Sequence, residues 1–335
     1  NEVLSGGETS TYSQCAMNLA EVLKAEHPEI VETVRFRRLR KSVVAAGTQH
    51  FLESGVAHAD PSIFTSFTYP LLRGDAGRAL ANPNSIVISR RMAAKYFPGQ
   101  DPMGQVLNFD NTREFNVTGV MADVPANSHQ QFDFLISFEA GLALSGIRTD
   151  DSWNTQAFTT YLLLADRADA AELDRKIRDV YLRHRAIDHT TASLQSIKDI
   201  HLRSLNIWGI GATGDIRYVV LFSLIAVFIL AMACMNFMNL ATARASTRAK
   251  EVGVRKTVGA DRLALVGQFY GEAFLLIFLA LALAVLLLFG LIPFFNAATG
   301  SSLTFRMIFD PAAVGLALLI AALAGFLAGG YPALV

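Results

Sequence analysis

Residues 236–276 read NFMNLATARASTRAKEVGVRKTVGADRLALVGQFYGEAFLL, and long apolar runs lie on either side of their basic centre. That centre holds Arg244, Arg248, Lys250, Arg255, Lys256 and Arg262, opposed only by Glu251 and Asp261. An apolar span, a basic hairpin and a second apolar span form the pattern of two membrane helices joined on the cytoplasmic side. Few water-soluble folds accommodate it, because a buried core helix is seldom apolar on every face for twenty residues.

The first span covers residues 219–241, with 12 Leu, Ile, Val or Phe in 23 positions. On an insertion scale these contribute roughly −4 to −7 kcal/mol. Its Asn236 and Asn239 share one face near the basic end. They suit either a polar contact between helices or the headgroup level. The second span, residues 273–292, has 15 such residues in 20 and is expected to end at Pro293. The third, residues 312–335, is rich in alanine and glycine. Ala321, Gly325 and Gly329 form a small-xxx-small stripe suited to close helix packing, in a dimer or within one subunit.

Orientation follows from the loops. Residues 243–262 carry six basic side chains and residues 293–310 only Arg306, so the former are expected in the cytoplasm. The region before the first span then lies outside. With no apolar span ahead of it, and with Val335 at the edge of an apolar run, the sequence reads as a fragment cut at both ends. A preceding span is expected upstream.

Charge divides the chain. Residues 1–214 hold 21 Lys+Arg and 24 Asp+Glu, against 8 and 5 in residues 215–335. The first part has the charge density of a soluble domain, so the boundary falls near Gly214. Its expected elements are a helix over 11–26, strands near 33–36, 42–46, 51–57 and 84–88, and a helix over 90–97. A hairpin over 104–121 turns at Asp110-Asn111. Strands near 132–138 and 158–164, a charged helix over 169–184 and a strand over 193–202 complete a mixed α+β domain. Cys15 is placed on a surface helix and Cys234 in a span, so no disulfide is expected.

Catalytic and metal signatures are few. His184, Asp188 and His189 cluster, but a charged surface turn accounts for them, since zinc sites need further ligands. Asp123 and Glu114 have nothing in the sequence to bring them together. Residues 209–214 match G-x-G-x-x-G, yet the acidic residue a dinucleotide site needs about 20 positions on is missing. A hinge is the favoured reading. The sequence has no G-x-S-x-G, H-E-x-x-H or G-x-x-x-x-G-K-[ST].

The basic segment has finer order. Arg244, Arg248, Glu251 and Arg255 recur on one helical face, and Ala245, Ala249 and Val252 on another. Glu251 and Arg255 form a favourable i,i+4 pair. Gly253 is expected to interrupt this helix and Gly259 to stop it, with Asp261 capping the next.

This stretch, NFMNLATARASTRAKEVGVRKTVGADR followed by QFYGEAFLL, resembles the FtsX-like permeases of ABC transporters, of the MacB type. NSIVISRRMAAKYFPGQDPMGQVL, FNVTGVMADVPANSHQQFDFLISF and ADPSIFTSFTYPLLRGD resemble the MacB-type periplasmic core domain. Together these cover nearly the whole chain, and they are most similar to one half of the tandem permeases of Bacteroidota-like bacteria. The resemblance implies an extracytoplasmic α+β domain over 1–214 and a multi-span α-helical membrane domain over 215–335, in the bacterial inner membrane. It implies a transporter subunit, not an enzyme, with no cofactor on this chain and ATP on a partner ABC ATP-binding subunit. It implies a periplasmic adaptor or outer-membrane partner, a dimeric or tandem-half assembly, and no nucleic acid. Coupling to the ATPase would fall on Arg248, Glu251, Gly253, Val254, Arg255, Lys256 and Gly259. The expected activity is efflux of amphiphiles, peptides or antimicrobials. The alternative is regulation of cell-wall hydrolases or release of lipoproteins; a membrane-tethered enzyme is a third class that no catalytic constellation supports.

Overall fold

A computed structural model describes residues 2–5, 8–125, 127–147, 153–185, 190–210, 214–257, 262–299 and 303–334. Of residues 3–5, 8, 185, 237, 241–242, 244–257, 262–266, 269 and 327–334 it describes the backbone alone. The chain divides into two compact units, residues 1–216 and 217–335.

The first unit begins with β1 (Glu2–Ser5), β2 (Glu8–Tyr12), β3 (Gln14–Ala16) and α1 (Leu19–Glu26). Residues 11–12 and 14–16, expected as helix, are therefore strand, and the helix starts only at Leu19. Cys15 lies on β3, opposite Phe158, not on a surface helix. Pairing with neighbouring strands overrides a helical period that only the later residues use: Leu19, Ala20 and Leu23 are buried.

Next come β4 (Ile30–Arg38), β5 (Ser42–Ala46), β6 (Gln49–Glu53), β7 (Val56–Ala59), α2 (Ile63–Ser66), β8 (Leu71–Arg73), β9 (Ser85–Ser89) and α3 (Arg90–Tyr96). The hairpin β10 (Val106–Phe109) and β11 (Arg113–Met121) follows, then β12 (Phe134–Ser137), α4 (Phe138–Ser145) and β13 (Gln156–Leu164). Asp110 and Asn111 take φ of 51° and 53° at the hairpin turn, a conformation those two residue types tolerate best after glycine.

α5 (Ala170–Ile177), α6 (Val180–Arg185), β14 (Thr190–Thr191), α7 (Ile200–Arg203) and β15 (Ile207–Trp208) complete the unit. The single helix expected over 169–184 is thus two. The strand expected over 193–202 is absent among the described residues. There the Asp174 carboxylate accepts from Leu194 N at 2.6 Å, and Ser196 O accepts from Asp199 N at 2.9 Å, so turns replace a ladder.

The large sheet runs β3-β13-β4-β7-β12-β9-β11-β10-β5-β6, with β8 also on β11. It is mixed: β7·β12 and β9·β11 are parallel, the other pairs antiparallel. Its centre is covered on both faces. On β9, Ile86 and Ile88 join a core with Phe109, Phe115, Phe134 and Met92, while Val87 joins Phe36, Phe64 and Phe132 on the opposite face. That two-sided burial explains the unbroken apolar runs SIVIS and FLIS. A third core joins α1, α5 and α6 around the fully buried Tyr181, whose hydroxyl accepts from Ala16 N at 3.1 Å. A smaller sheet runs β14-β1-β2-β15.

Caps match the local sequence. Ser89 Oγ accepts from Met92 N at the start of α3 (3.3 Å), Ser137 Oγ from Ala140 N at the start of α4 (3.3 Å), and Asp169 from Ala171 N and Glu172 N at α5.

The second unit is helical: α8 (Ile216–Thr257), α9 (Arg262–Thr299), the short α10 (Phe305–Ile308) and α11 (Pro311–Leu334). Pro293 does not end the second span, as expected, but sits inside α9. Proline removes one backbone donor and crowds the preceding turn, which bends a long helix without obliging it to stop.

Candidate functional site

The basic segment is not a separate hairpin arm. α8 carries the apolar run and residues 243–257 on one helix of 42 residues. At 1.5 Å per residue that is about 63 Å, roughly twice a bilayer's hydrocarbon core. The helix passes through Gly253 without the expected interruption. A single interior glycine costs only about 1 kcal/mol, which a helix of this length absorbs.

Positions 248, 251 and 255 fall on one face of the backbone. The side chains of Arg248, Glu251, Val254, Arg255 and Lys256 lie outside the described part. Gly259 and Asp261 lie outside the described residues altogether. α8 ends at Thr257 and α9 begins at Arg262, on either side of them.

Ile216–Leu240 and Tyr270–Thr299 are both long and apolar enough to cross a membrane, and Pro311–Phe326 is a shorter apolar stretch of α11. Apolar side chains stand exposed along them, such as Phe222 (64%), Phe228 (68%) and Leu286 (66%). Water does not tolerate such a surface over whole helices; lipid does. Asn236 and Asn239 are exposed too.

α9 and α11 pack together. Phe326 meets Tyr270 at 5.9 Å and Phe274 at 5.5 Å between ring centroids. A Cβ on Gly325 would come within 2.5 Å of the Phe274 ring. Ala273, Ala321 and Ala324 are buried beside it. Ala321 and Gly325 of the small-residue stripe therefore serve contact within the chain, while the side of Gly329 lies outside the described part.

The first unit has several polar clusters of its own. Asp133 is buried, and its carboxylate accepts from Ser89 Oγ at 2.8 Å and from Arg91 Nη2 at 2.6 Å. Glu53 accepts from Lys95 Nζ at 2.7 Å and from the Tyr96 hydroxyl at 2.8 Å. Burial and then that carboxylate push the Tyr96 hydroxyl well above its ordinary pKa. Both clusters tie α3 to the sheet. Asp123 accepts from Arg91 N at 2.8 Å and pairs with Arg90, and Glu114 is exposed on β11, so neither is arranged for acid/base work.

His58 is wholly buried on β7. Its ring stacks on Phe138 at 5.5 Å, and Nδ1 lies 3.3 Å from Phe138 O. Burial first, then the nearby Arg37 and Arg35 guanidiniums, push it down to about 4, although the Phe138 carbonyl works the other way. It is a neutral packing element.

His184 lies 2.6 Å from Glu26 and stacks on Trp153. Asp188 and His189 lie outside the described residues. Among the described residues no group of three His, Cys, Asp or Glu could hold a metal ion. Gly209 takes φ +87°, and a Cβ there would lie 2.8 Å from Ser13 Oγ. A tight turn thus accounts for the first glycine of the 209–214 match.

Sequence reasoning also missed an open groove of about 410 Å³ lined by Phe67, Tyr69, Pro70, Val124, Pro125 and His129. Tyr161 supports it from behind, meeting Phe67 at 5.0 Å and hydrogen-bonding His129 Nε2 at 2.9 Å. Only the sheet brings residues 67–70 beside 122–125 and 128–129.

Comparison with known proteins fits this layout. Residues 3–180 match the family described as MacB-like periplasmic core domain. The chain belongs to that family. Residues 223–335 of this MacB-type chain match the FtsX-like permease C-terminal family. Among curated proteins it is 26% identical over 313 residues to the macrolide export ATP-binding/permease protein MacB of Agrobacterium fabrum, covering 91% of this chain and 44% of that protein. To the protein of the same name in Neisseria meningitidis serogroup B it is 25% identical, covering 73% and 34%. The chain thus spans less than half the length of these relatives. The crystal structure of the periplasmic region of MacB from Actinobacillus actinomycetemcomitans aligns with a TM-score of 0.41 at 14% identity, covering 52% of this chain and 77% of that one.

Proposed function

We propose that this chain is the permease part of an ABC-type complex, in which ATP hydrolysed by a separate ATP-binding subunit moves a periplasmic domain and drives efflux of amphiphiles, peptides or antimicrobials. The observation that carries the reading is the continuity of α8, one helix from the apolar run into the basic segment. A displacement at the basic end has no break along Ile216–Thr257 at which to be lost. The family match supports the same division of labour, with a periplasmic core domain ahead of permease helices. In this reading residues 243–262 lie in the cytoplasm, the first unit is periplasmic, and the helices sit in the inner membrane.

The names of the relatives join ATP-binding and permease in one protein. These 335 residues hold no G-x-x-x-x-G-K-[ST], and in this reading the nucleotide sits on a partner subunit. Arg248, Glu251, Arg255 and Lys256 would pair with the partner's surface. Val254 would pack against it, and Gly259 would leave room for close approach, while Gly253 lies within α8.

Charge reversal by Arg255→Glu with Lys256→Glu should uncouple ATP hydrolysis from export while leaving membrane insertion intact. Unchanged transport in that double variant would refute the mechanism. Affinity isolation from mild detergent should recover an ABC ATPase. Recovery of a cell-wall hydrolase on residues 1–214, with no solute moved, would favour the regulatory alternative.

A further inference from the structure

Residues 303–310 fold back along α9. Asn296 holds them by two bonds: Nδ2 donates to Leu303 O at 2.8 Å, and Oδ1 accepts from Leu303 N at 3.0 Å. Phe305 of α10 then stacks on Phe289 at 4.9 Å, and Phe309 approaches the same ring at 6.3 Å. From Asn296 to Phe289 is seven residues of helix, so the segment descends about 10 Å beside it. The turn closes with Met307 N donating to Thr304 O at 3.0 Å, and Asp310 Oδ1 accepts from Ala312 N at 3.0 Å to start α11.

What the segment presents is apolar. Leu303, Phe305, Met307 and Phe309 are 42%, 39%, 54% and 60% exposed, with Arg306 exposed among them. A segment returning through water would leave these side chains uncovered.

We infer that residues 303–310 are an interfacial anchor in the outer leaflet, with Phe305, Met307 and Phe309 in the acyl–headgroup boundary and Arg306 reaching the lipid phosphates. The lengths agree. Tyr270–Thr299 spans 30 residues, or about 45 Å, too long for a core of about 30 Å. Tyr270 to Phe289 covers about 30 Å, so the core would end where the segment meets α9. Phe289, Phe294, Phe295, Phe305 and Phe309 then occupy the boundary layer, and Asn296 stands at its watery side. Lipid is the occupant because the patch continues the exposed apolar surface of α9, and its one cation suits phosphate. The inference rests on the proposed spanning of α9 and fixes the depth at which that helix stands.

Depth-resolved quenching tests it. The full chain is reconstituted in phosphatidylcholine vesicles brominated either near the headgroup or near the chain ends. Phe309→Trp and Leu283→Trp are compared, with the signal of the parent protein subtracted. Leu283→Trp should lose most fluorescence to the deep bromines, and Phe309→Trp to the shallow ones. Met307→Trp repeats the measurement if Phe309→Trp fails to fold. If Leu283→Trp is not quenched, α9 does not cross and the permease reading falls with the anchor. If Leu283→Trp is quenched but the 309 and 307 probes are untouched, or respond best to deep bromines, the anchor alone is overturned.

Discussion

At His58 one ring organises three elements, and two predictions follow from its surroundings. A Cβ at position 141 would come within 2.0 Å of the imidazole. Neither His58, fully buried between Phe138 and Phe158, nor the α4 backbone has room to retreat. Gly141→Ala should therefore cost about 3 kcal/mol by overpacking. Both tryptophans, Trp153 and Trp208, lie in the first unit. The urea midpoint of their fluorescence reads that loss directly. The second prediction concerns pH. Folded His58 titrates near 4, against an ordinary value of 6.5. Below the unfolded value the unfolded chain binds a proton that the folded one refuses. Stability is therefore full above about pH 6.5 and falls as pH drops toward about 4, with about 2 kcal/mol lost by about pH 5. His58→Gln should show a smaller loss than the parent over the same interval. Equal slopes in the two proteins would remove His58 as the cause. The sequence offered only a lone histidine in an apolar strand; its burial depends on α4, 80 residues later.

Among the elements, α8 departs most from its sequence pattern. Gly253 reads as a break, and Pro293 as a stop in α9, yet both lie inside helices. Local propensity sets a cost of about 1 kcal/mol for glycine and about 3 kcal/mol for proline. The hydrogen-bonded turns on both sides of each residue outweigh it. Gly253→Ala should accordingly keep the ATPase bound in detergent, whereas Gly253→Pro should release it. Loss of co-purification with alanine would mean that the position needs glycine for contact with the partner, not for helix shape. Other elements were legible for a local reason. β5, β9, α3 and the turn at Asp110-Asn111 have their determinants within a few residues. The first half of the helix expected over 11–26 and the strand expected over 193–202 failed for the opposite reason. Their conformations are fixed by Phe158 across the sheet and by the Asp174 carboxylate, neither of which is near in sequence.

For the whole molecule, membrane orientation is the decisive measurement. With Cys15 and Cys234 replaced by serine, Asp75→Cys should react with an impermeant thiol reagent on intact spheroplasts, and Lys250→Cys only after lysis. The reverse pattern would invert the topology and place the basic segment away from any cytoplasmic ATPase. The division into a charged α+β unit and an apolar helical unit followed from composition alone. Hydrophobicity and charge act on each segment locally, so apolar runs select lipid and basic residues select a side without reference to other parts of the chain. The strand order, with its parallel pairs in a mostly antiparallel sheet, followed only from tertiary structure. So did the groove beside Tyr69 and the fold-back of residues 303–310 along α9. Each joins segments whose residues carry no mark of their partners, and packing across the sheet or along a helix selects among pairings that the sequence alone leaves equivalent.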